Sequence, residues 1–206
     1  MDGVIVQSEE AHIQAEEQVM LKRGVAISAE ELHRYTGSTA KYMFIRLKEN
    51  YGLKDSVEDL EMEKEDLLLE LMQRDMKPTE GVISLIRQLK QRGVKLALAS
   101  GSSRRVIDHV LRGLKISNFF DAIMGAEDVS ESKPNPEVFV EAATRLKIKP
   151  EECVVIEDAN LGVLAAKRAG MKCLGYRNPE SGEQDLSAAD ITIDSFTDLD
   201  VDQLLS

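Results

Sequence analysis

Apolar positions follow two different rhythms along the chain. Over roughly the first 77 residues they recur at helical spacing. Ser8 precedes Glu9 and Glu10, a cap residue ahead of two acids in a first turn, where they favour the helix dipole. Gly24 fits the end of that helix. Ser28 with Glu31 three residues on forms a capping-box pattern for a second, short helix. Gly37-Ser38-Thr39 breaks the chain and caps a third helix, running to about Tyr51-Gly52. Ser56 opens a fourth, in which Val57, Leu60, Leu67 and Leu71 keep the 3–4 spacing of an amphipathic helix, with Lys64 in step. It ends before Pro78.

After Pro78, short apolar runs alternate with helical stripes. Val82, Leu85, Ile86 and Leu89 mark a helix ended by Gly93; Val94–Ala99 is a strand closed by Ser100-Gly101-Ser102-Ser103. A helix over Arg104–Gly113, a strand at Ala122–Met124 and a helix over 136–147 follow. Then come a strand at Cys153–Ile156, a helix at Asn160–Gly170, and strands at Lys172–Tyr176 and Ile191–Ile193. This alternation predicts an α/β fold, a Rossmann-like parallel sheet core covered by helices. The helical block sits near its start as an inserted cap domain. The expected division is residues 1–7 and 78–206 for the core and 8–77 for the cap.

Composition narrows the function classes. The chain has 206 residues, 43% of them hydrophobic, enough for a packed core. Its net charge of −11 and the lack of a dense Lys/Arg patch oppose nucleic-acid binding. Cys153 and Cys173 have neither metal-ligand spacing nor a disulfide framework, so buried free thiols in a reducing cytoplasm are expected. No apolar run approaches membrane-spanning length, and Met1-Asp2-Gly3-Val4 lacks the features of a signal peptide. The expectation is a cytoplasmic monomer with no membrane partner.

Three strand ends carry the candidate chemistry. Val154-Val155-Ile156 runs straight into Glu157-Asp158. Ligands bind at the carboxyl ends of parallel strands, and two carboxylates there repel unless a cation joins them. A hard ion such as Mg²⁺ suits oxygen ligands. Ser100, with the N–H groups of Gly101 and Ser102, ends another strand ahead of a helix, a place suited to phosphate oxygens or simply to a helix cap. Lys133, in Ser132-Lys133-Pro134-Asn135-Pro136, is held stiffly ahead of a helix and is a candidate anion partner.

Taken together, Asp2-Gly3-Val4-Ile5, the strand ending in Ser100, Lys133-Pro134-Asn135-Pro136 and Ile156-Glu157-Asp158 resemble the four ordered motifs of the haloacid dehalogenase-like hydrolases. The helical insert resembles the cap of the β-phosphoglucomutase and phosphoglycolate phosphatase branch. The resemblance covers nearly the whole chain. It implies that Asp2 is the general acid/base and offers its backbone carbonyl to Mg²⁺. Ser100 would hold the transferring phosphoryl group, Lys133 would neutralise its charge, and Glu157 and Asp158 would form the acidic Mg²⁺ site. His12 lies where capped members carry a histidine, and Gly37 to Lys41 match the cap loop that meets substrate. Mutases of this kind carry an arginine soon after that glycine; here Ala40 and Lys41 follow. Gln7 stands where relatives often have an aspartate.

One departure matters most. The family's nucleophile is an aspartate two residues before the acid/base, and counting back from Asp2 puts it ahead of Met1. The strand that carries it would be central and buried, so its loss would remove hydrogen-bond partners from both neighbours. A start assigned at an internal methionine, residues upstream of Met1, or a truncated inactive protein would each explain this. The expected function is a Mg²⁺-dependent phosphatase of a small phosphorylated metabolite such as a sugar phosphate, working through an aspartyl-phosphate. A β-phosphoglucomutase-like mutase and a non-catalytic family member are the alternatives.

Overall fold

The helix starts fall where short polar side chains can take over orphan N–H groups. The computed structural model describes residues 1–197 and 199–204. Helix α1 (Glu9–Leu21) follows Ser8. Helix α2 (Ala29–Leu32) is capped by the Ser28 hydroxyl, which accepts from the Glu31 N–H. A single 3₁₀ turn at His33–Tyr35 leads to α3 (Ala40–Tyr51), whose Thr39 cap accepts from Tyr42. That helix stops at Gly52, where φ is +65°, a left-handed conformation that costs glycine little. Helix α4 (Val57–Arg74) is capped by Ser56, which accepts from Asp59. These helices share a core of their own that includes Ile13, Met20, Leu32, Phe44, Leu47 and Leu60.

The buried stripe of α4 is Leu60, Lys64, Leu68 and Met72, whereas Leu67 and Leu71 are half-buried. The expected stripe holds at Leu60 and Lys64 and is rotated by one residue beyond them. Two neighbours grip the helix: Leu60 joins the helical core, while Leu68 and Met72 join the main core below it.

The chain enters and leaves the helical segment through a two-residue antiparallel ribbon. Strand β1 (Val6–Gln7) pairs with β2 (Lys77–Pro78), Val6 opposite Pro78 and Gln7 opposite Lys77. Such a ribbon is too short to show alternation, and a proline sits readily in an edge strand because no donor is needed there.

The α/β part follows in the expected order. Helix α5 (Val82–Gln91) buries Val82, Leu85, Ile86 and Leu89. Strand β3 (Ala97–Ala99) pairs in parallel with β4 (Ala122–Met124), with α6 (Arg104–Gly113) between them. The strand expected over Val94–Ala99 is shorter because the Leu96 N–H goes to the Asp121 carboxylate at 2.8 Å, outside the ladder. Helix α7 (Glu137–Leu146), β5 (Val154–Glu157), α8 (Asn160–Arg168), β6 (Lys172–Tyr176), β7 (Ile191–Ile193) and a short α9 (Val201–Leu204) complete the chain.

Among the described residues the parallel strands form two sheets, β3–β4 and β5–β6–β7, in keeping with the parallel core expected to lack its central strand. A compact turn over Met1–Val6 reaches both: Asp2 bonds Ser100 beyond β3, and Gly3 abuts Asp158 beyond β5. In this turn the Met1 carbonyl accepts from the Ile5 N–H at 2.7 Å, with Val4 and Val6 at 3.3 Å. Met1, Val4 and Ile5 pack with Leu98, Val106 and Tyr176 in the main core. A further core joins Phe139, Val155, Val163 and Cys173 beneath α7 and α8. Cys173 is buried as expected, but Cys153 is only half-buried; both are free. No described helix is long and apolar enough to cross a membrane.

Candidate active site

The strand ends and the Met1–Val6 turn bring the candidate side chains to one place. Asp2 is the most heavily bonded of them. Its Oδ1 accepts from the Ser8 hydroxyl at 2.8 Å and faces His12 Nε2 at 3.2 Å. Its Oδ2 accepts from the Ser102 hydroxyl at 2.7 Å and the Ser100 hydroxyl at 3.3 Å. Ser8 stands at the cap position of α1, yet its side chain makes no capping bond there, because it is turned to Asp2. Burial raises the Asp2 carboxyl, but the His12 ring and the Ser102 hydroxyl overcome this and hold it well below the usual carboxylate range.

His12 is itself oriented from α4. Lys64 Nζ lies 2.7 Å from His12 Nδ1 and 3.2 Å from Glu16. A lysine ammonium only donates, so Nδ1 is the acceptor and the ring proton sits on Nε2, facing Asp2. Sequence reasoning placed Lys64 on the buried stripe without giving it a role. A lysine in step with leucines was the signal.

On the other side, Glu157 and Asp158 are both buried. The Lys133 ammonium bonds Glu157 Oε1 and lies 4.8 Å from the centre of the Phe139 ring. Asp158 Oδ2 accepts from the Ser181 hydroxyl and, at 3.5 Å, from the Asn178 amide. Burial and the Glu157 charge push the Asp158 carboxyl up to about 6. Asn178 and Ser181, both buried, lie in a loop after β6 that carried no recognisable motif. Two glycines make room for the carboxylates. A Cβ on Gly3, where φ is +69°, would lie 1.9 Å from Asp158 Oδ2, and one on Gly162 would lie 2.1 Å from Glu157 Oε2.

The donor set suits a hard cation. It is all oxygen, and the adjacent buried carboxylates repel each other without one. Among the described residues no three His, Cys, Asp or Glu side chains form a metal cluster. A Mg²⁺ held by one or two carboxylates, with water and substrate phosphate completing its shell, needs no such cluster. Asp158 and the Asp2 backbone carbonyl are the groups that would hold it, with Glu157, expected as a third, turned to the Lys133 ammonium.

The Ser100–Ser102 loop, the candidate phosphate cradle, is partly committed to internal bonds. The Ser102 N–H donates to Ser100 Oγ at 3.1 Å, and the Arg104 N–H at the start of α6 is taken by Glu127 at 3.0 Å. The helical segment closes over this end. Gly101 lies against the loop ahead of α3, where a Cβ would be 2.6 Å from the Ser38 carbonyl oxygen. A cavity of about 130 Å³ remains between the two parts. Every candidate residue named from sequence lines it except Lys41, which is exposed on α3.

The haloacid dehalogenase-like hydrolase family model matches residues 1–176. Hexitol phosphatase B of Escherichia coli (strain K12) is 30% identical over 211 residues, covering 100% of this chain and 94% of the relative. The β-phosphoglucomutase of Bacillus subtilis (strain 168) is 32% identical over 219 residues, covering 99% and 91%. The crystal structure of CbbY from Rhodobacter sphaeroides in complex with phosphate superposes with a TM-score of 0.86 at 25% identity, over 97% of this chain and 93% of that one. With parallel strands behind a helical N-terminal segment and this agreement over nearly its full length, the chain belongs to the haloacid dehalogenase-like hydrolases, among their capped members.

Proposed function

We propose that the protein is a Mg²⁺-dependent phosphatase of a small phosphorylated metabolite, a sugar or polyol phosphate. The observation that carries this reading is the convergence of Asp2, Ser100, Lys133 and Asp158 on one small cavity under the helical segment. The residues Asp2, Ser100 and Lys133 are the proposed catalytic set, and residues 8–77 are the proposed cap.

Phosphoryl transfer is mostly positioning and charge neutralisation. Lys133 and the Ser100 hydroxyl meet the equatorial oxygens of the transferring group, and the Gly101 backbone forms the floor beside them. Mg²⁺, which Asp158 and the Asp2 backbone carbonyl would hold, would supply further charge neutralisation. Asp2, held ionised, is in the form that removes a proton from water. To donate a proton to the leaving oxygen it must first take one up, which requires it to give up the bonds from His12 and Ser102 that favour its ionised form, and it regains that form on passing the proton on. In the aspartyl-phosphate route the nucleophile is an aspartate two positions ahead of Asp2, a position that precedes Met1. The helical segment excludes water while this occurs.

The test is phosphate release from p-nitrophenyl phosphate and a panel of sugar and polyol phosphates, with Mg²⁺, by the chain carrying an aspartate two positions ahead of Asp2 and by its Asp2→Asn variant. Release that needs both Mg²⁺ and Asp2 supports the proposal. Interconversion of glucose phosphates with little release would favour the mutase alternative. No turnover by a folded protein at high concentration would favour the non-catalytic one.

A further inference from the structure

The cavity wall is strongly anionic, and one of its carboxylates has no partner. Seven carboxylates and only two lysines line it. Both lysines are committed: Lys133 to Glu157, and Lys64 to His12 and Glu16. The acids of the helical segment are mostly committed too. Glu9 accepts from the Thr36 hydroxyl at 2.7 Å. Glu65 bonds the Ser103 hydroxyl and Arg105 across to α6. Glu61 differs, since among the described residues its carboxylate takes no hydrogen bond or ion pair, although it lines the same cavity half-buried.

The position of Glu61 gives this meaning. It lies one turn of α4 before Lys64 and Glu65, and residues three and four apart share a helix face about 5–6 Å apart. Lys64 reaches Asp2 through His12. Glu61 therefore stands beyond the proton-transfer group, where the part of the substrate other than its phosphoryl group must lie. One phosphoryl group can draw Lys133 away from Glu157 and use the Ser100 loop, whereas a second would face the Glu61 carboxylate, with Lys41, which lies outside the cavity lining, as the foremost cation acting there.

Resting on the phosphatase reading above, we propose that Glu61 is a specificity-determining residue. It accepts hydrogen bonds from hydroxyl groups of the substrate and rejects a second anionic group. The site then takes monophosphate esters of neutral, hydroxyl-rich compounds and discriminates against bisphosphates. This also separates it from any chemistry that must seat a bisphosphate in the same cavity.

The experiment measures binding, so it does not depend on turnover. With Mg²⁺ present, the affinities of glucose 6-phosphate and glucose 1,6-bisphosphate are compared by calorimetry for the full chain, Glu61→Gln and Glu61→Lys. One like charge at this range, partly offset by Lys41, predicts a preference of roughly threefold for the monophosphate in the unsubstituted protein. The preference should fall to near unity in Glu61→Gln and reverse in Glu61→Lys. The near-isosteric glutamine keeps the test intact should the lysine variant fail to fold. Equal or tighter binding of the bisphosphate to the unsubstituted protein, an unmoved ratio in Glu61→Gln, or no binding of either ester would overturn the proposal. Phosphate release from p-nitrophenyl phosphate, run alongside, tests the phosphatase reading separately: its absence with the selectivity intact would count against that reading alone.

Discussion

Gly162 lies in the first turn of α8 directly against Glu157, so close that a Cβ there would fall 2.1 Å from Oε2 and 2.3 Å from Cδ. The glycine is needed for this space and not for a left-handed backbone, because its φ is ordinary. Alanine would otherwise raise helix stability by roughly 1 kcal/mol. We expect Gly162→Ala to destabilise the protein instead, by about 1–3 kcal/mol, as Glu157 is pushed from its buried pair with Lys133. Urea denaturation reads the sign, and a stabilised variant would show that Glu157 moves aside freely.

Gly101 offers a contrasting case. A Cβ there would meet the Ser38 carbonyl oxygen at 2.6 Å and its carbon at 3.0 Å, both backbone atoms. Gly101→Ala should therefore hold the loop ahead of α3 away from the strand ends. The expected result is a KM raised about tenfold with a small change in stability, since a misplaced positioning element of this kind costs one to two orders of magnitude. Steady-state phosphate release checks the first and thermal unfolding the second.

Lys64 and Glu16 each expose only 9% of their side chains and lie 3.2 Å apart. Removing one partner leaves an uncompensated buried charge, which costs about 3–5 kcal/mol. We expect Lys64→Met to lose stability of that order, and the double variant Glu16→Gln, Lys64→Met to recover most of it. A double variant no more stable than the single one would mean that Lys64 acts on the fold mainly through His12.

Stability should depend on pH through Asp158. Its carboxyl is pushed up to about 6 in the folded protein, foremost by burial and then by Glu157, against about 4 unfolded. The folded state therefore holds this proton more tightly than the unfolded one. The resulting stabilisation is fully present below pH ~4 and is withdrawn as the pH rises through about 6. Without Mg²⁺, a loss on the order of 1–3 kcal/mol is expected across that window, reduced in Asp158→Asn. Saturating Mg²⁺ should restore stability above the window, where the ionised form binds it. Denaturation midpoints at a series of pH values, with and without the ion, decide this. An Asp158→Asn variant with the same slope would exclude Asp158 as its source.

Much of this architecture was legible because local signals agreed with each other. Ser28, Thr39 and Ser56 announced helix starts and cap them by the bonds expected. The stripe of α5 and the limits of α6, β4, β6 and β7 were readable from periodicity alone. The β1–β2 ribbon was not, since two residues per strand carry no period. The division of the parallel strands into two sheets is what a parallel core lacking its central strand was expected to give.

The site was legible wherever a residue belonged to a motif. Asp2, Ser100, Lys133, Glu157 and Asp158 converge on one cavity. Lys64, Asn178 and Ser181 bond site residues from distant segments; only Lys64, in step with leucines, carried a signal, and nothing around Asn178 and Ser181 announces them. Lys41 shows the converse. Its place in a matching loop suggested contact with substrate; it is exposed on α3 and outside the cavity lining, yet it is the foremost charge acting on Glu61 in that lining. The turn of the helix, not the spacing from Gly37, decides which way it faces.

The ribbon between Val6–Gln7 and Lys77–Pro78 also bears on the order of folding. The helical core draws on residues no earlier than Ile13 and no later than Leu67, so it can form with both flanks still unstructured. Its contacts are closer in sequence than many that unite the parallel strands with the opening turn, which reach from Asp2 to Ser100 and from Gly3 to Asp158. Loop closure delays such distant contacts. We expect pulse-labelled hydrogen exchange to find α1, α3 and α4 protected before β3 and β5, with the ribbon closing last. Simultaneous protection of all five would show instead that the two parts fold as one.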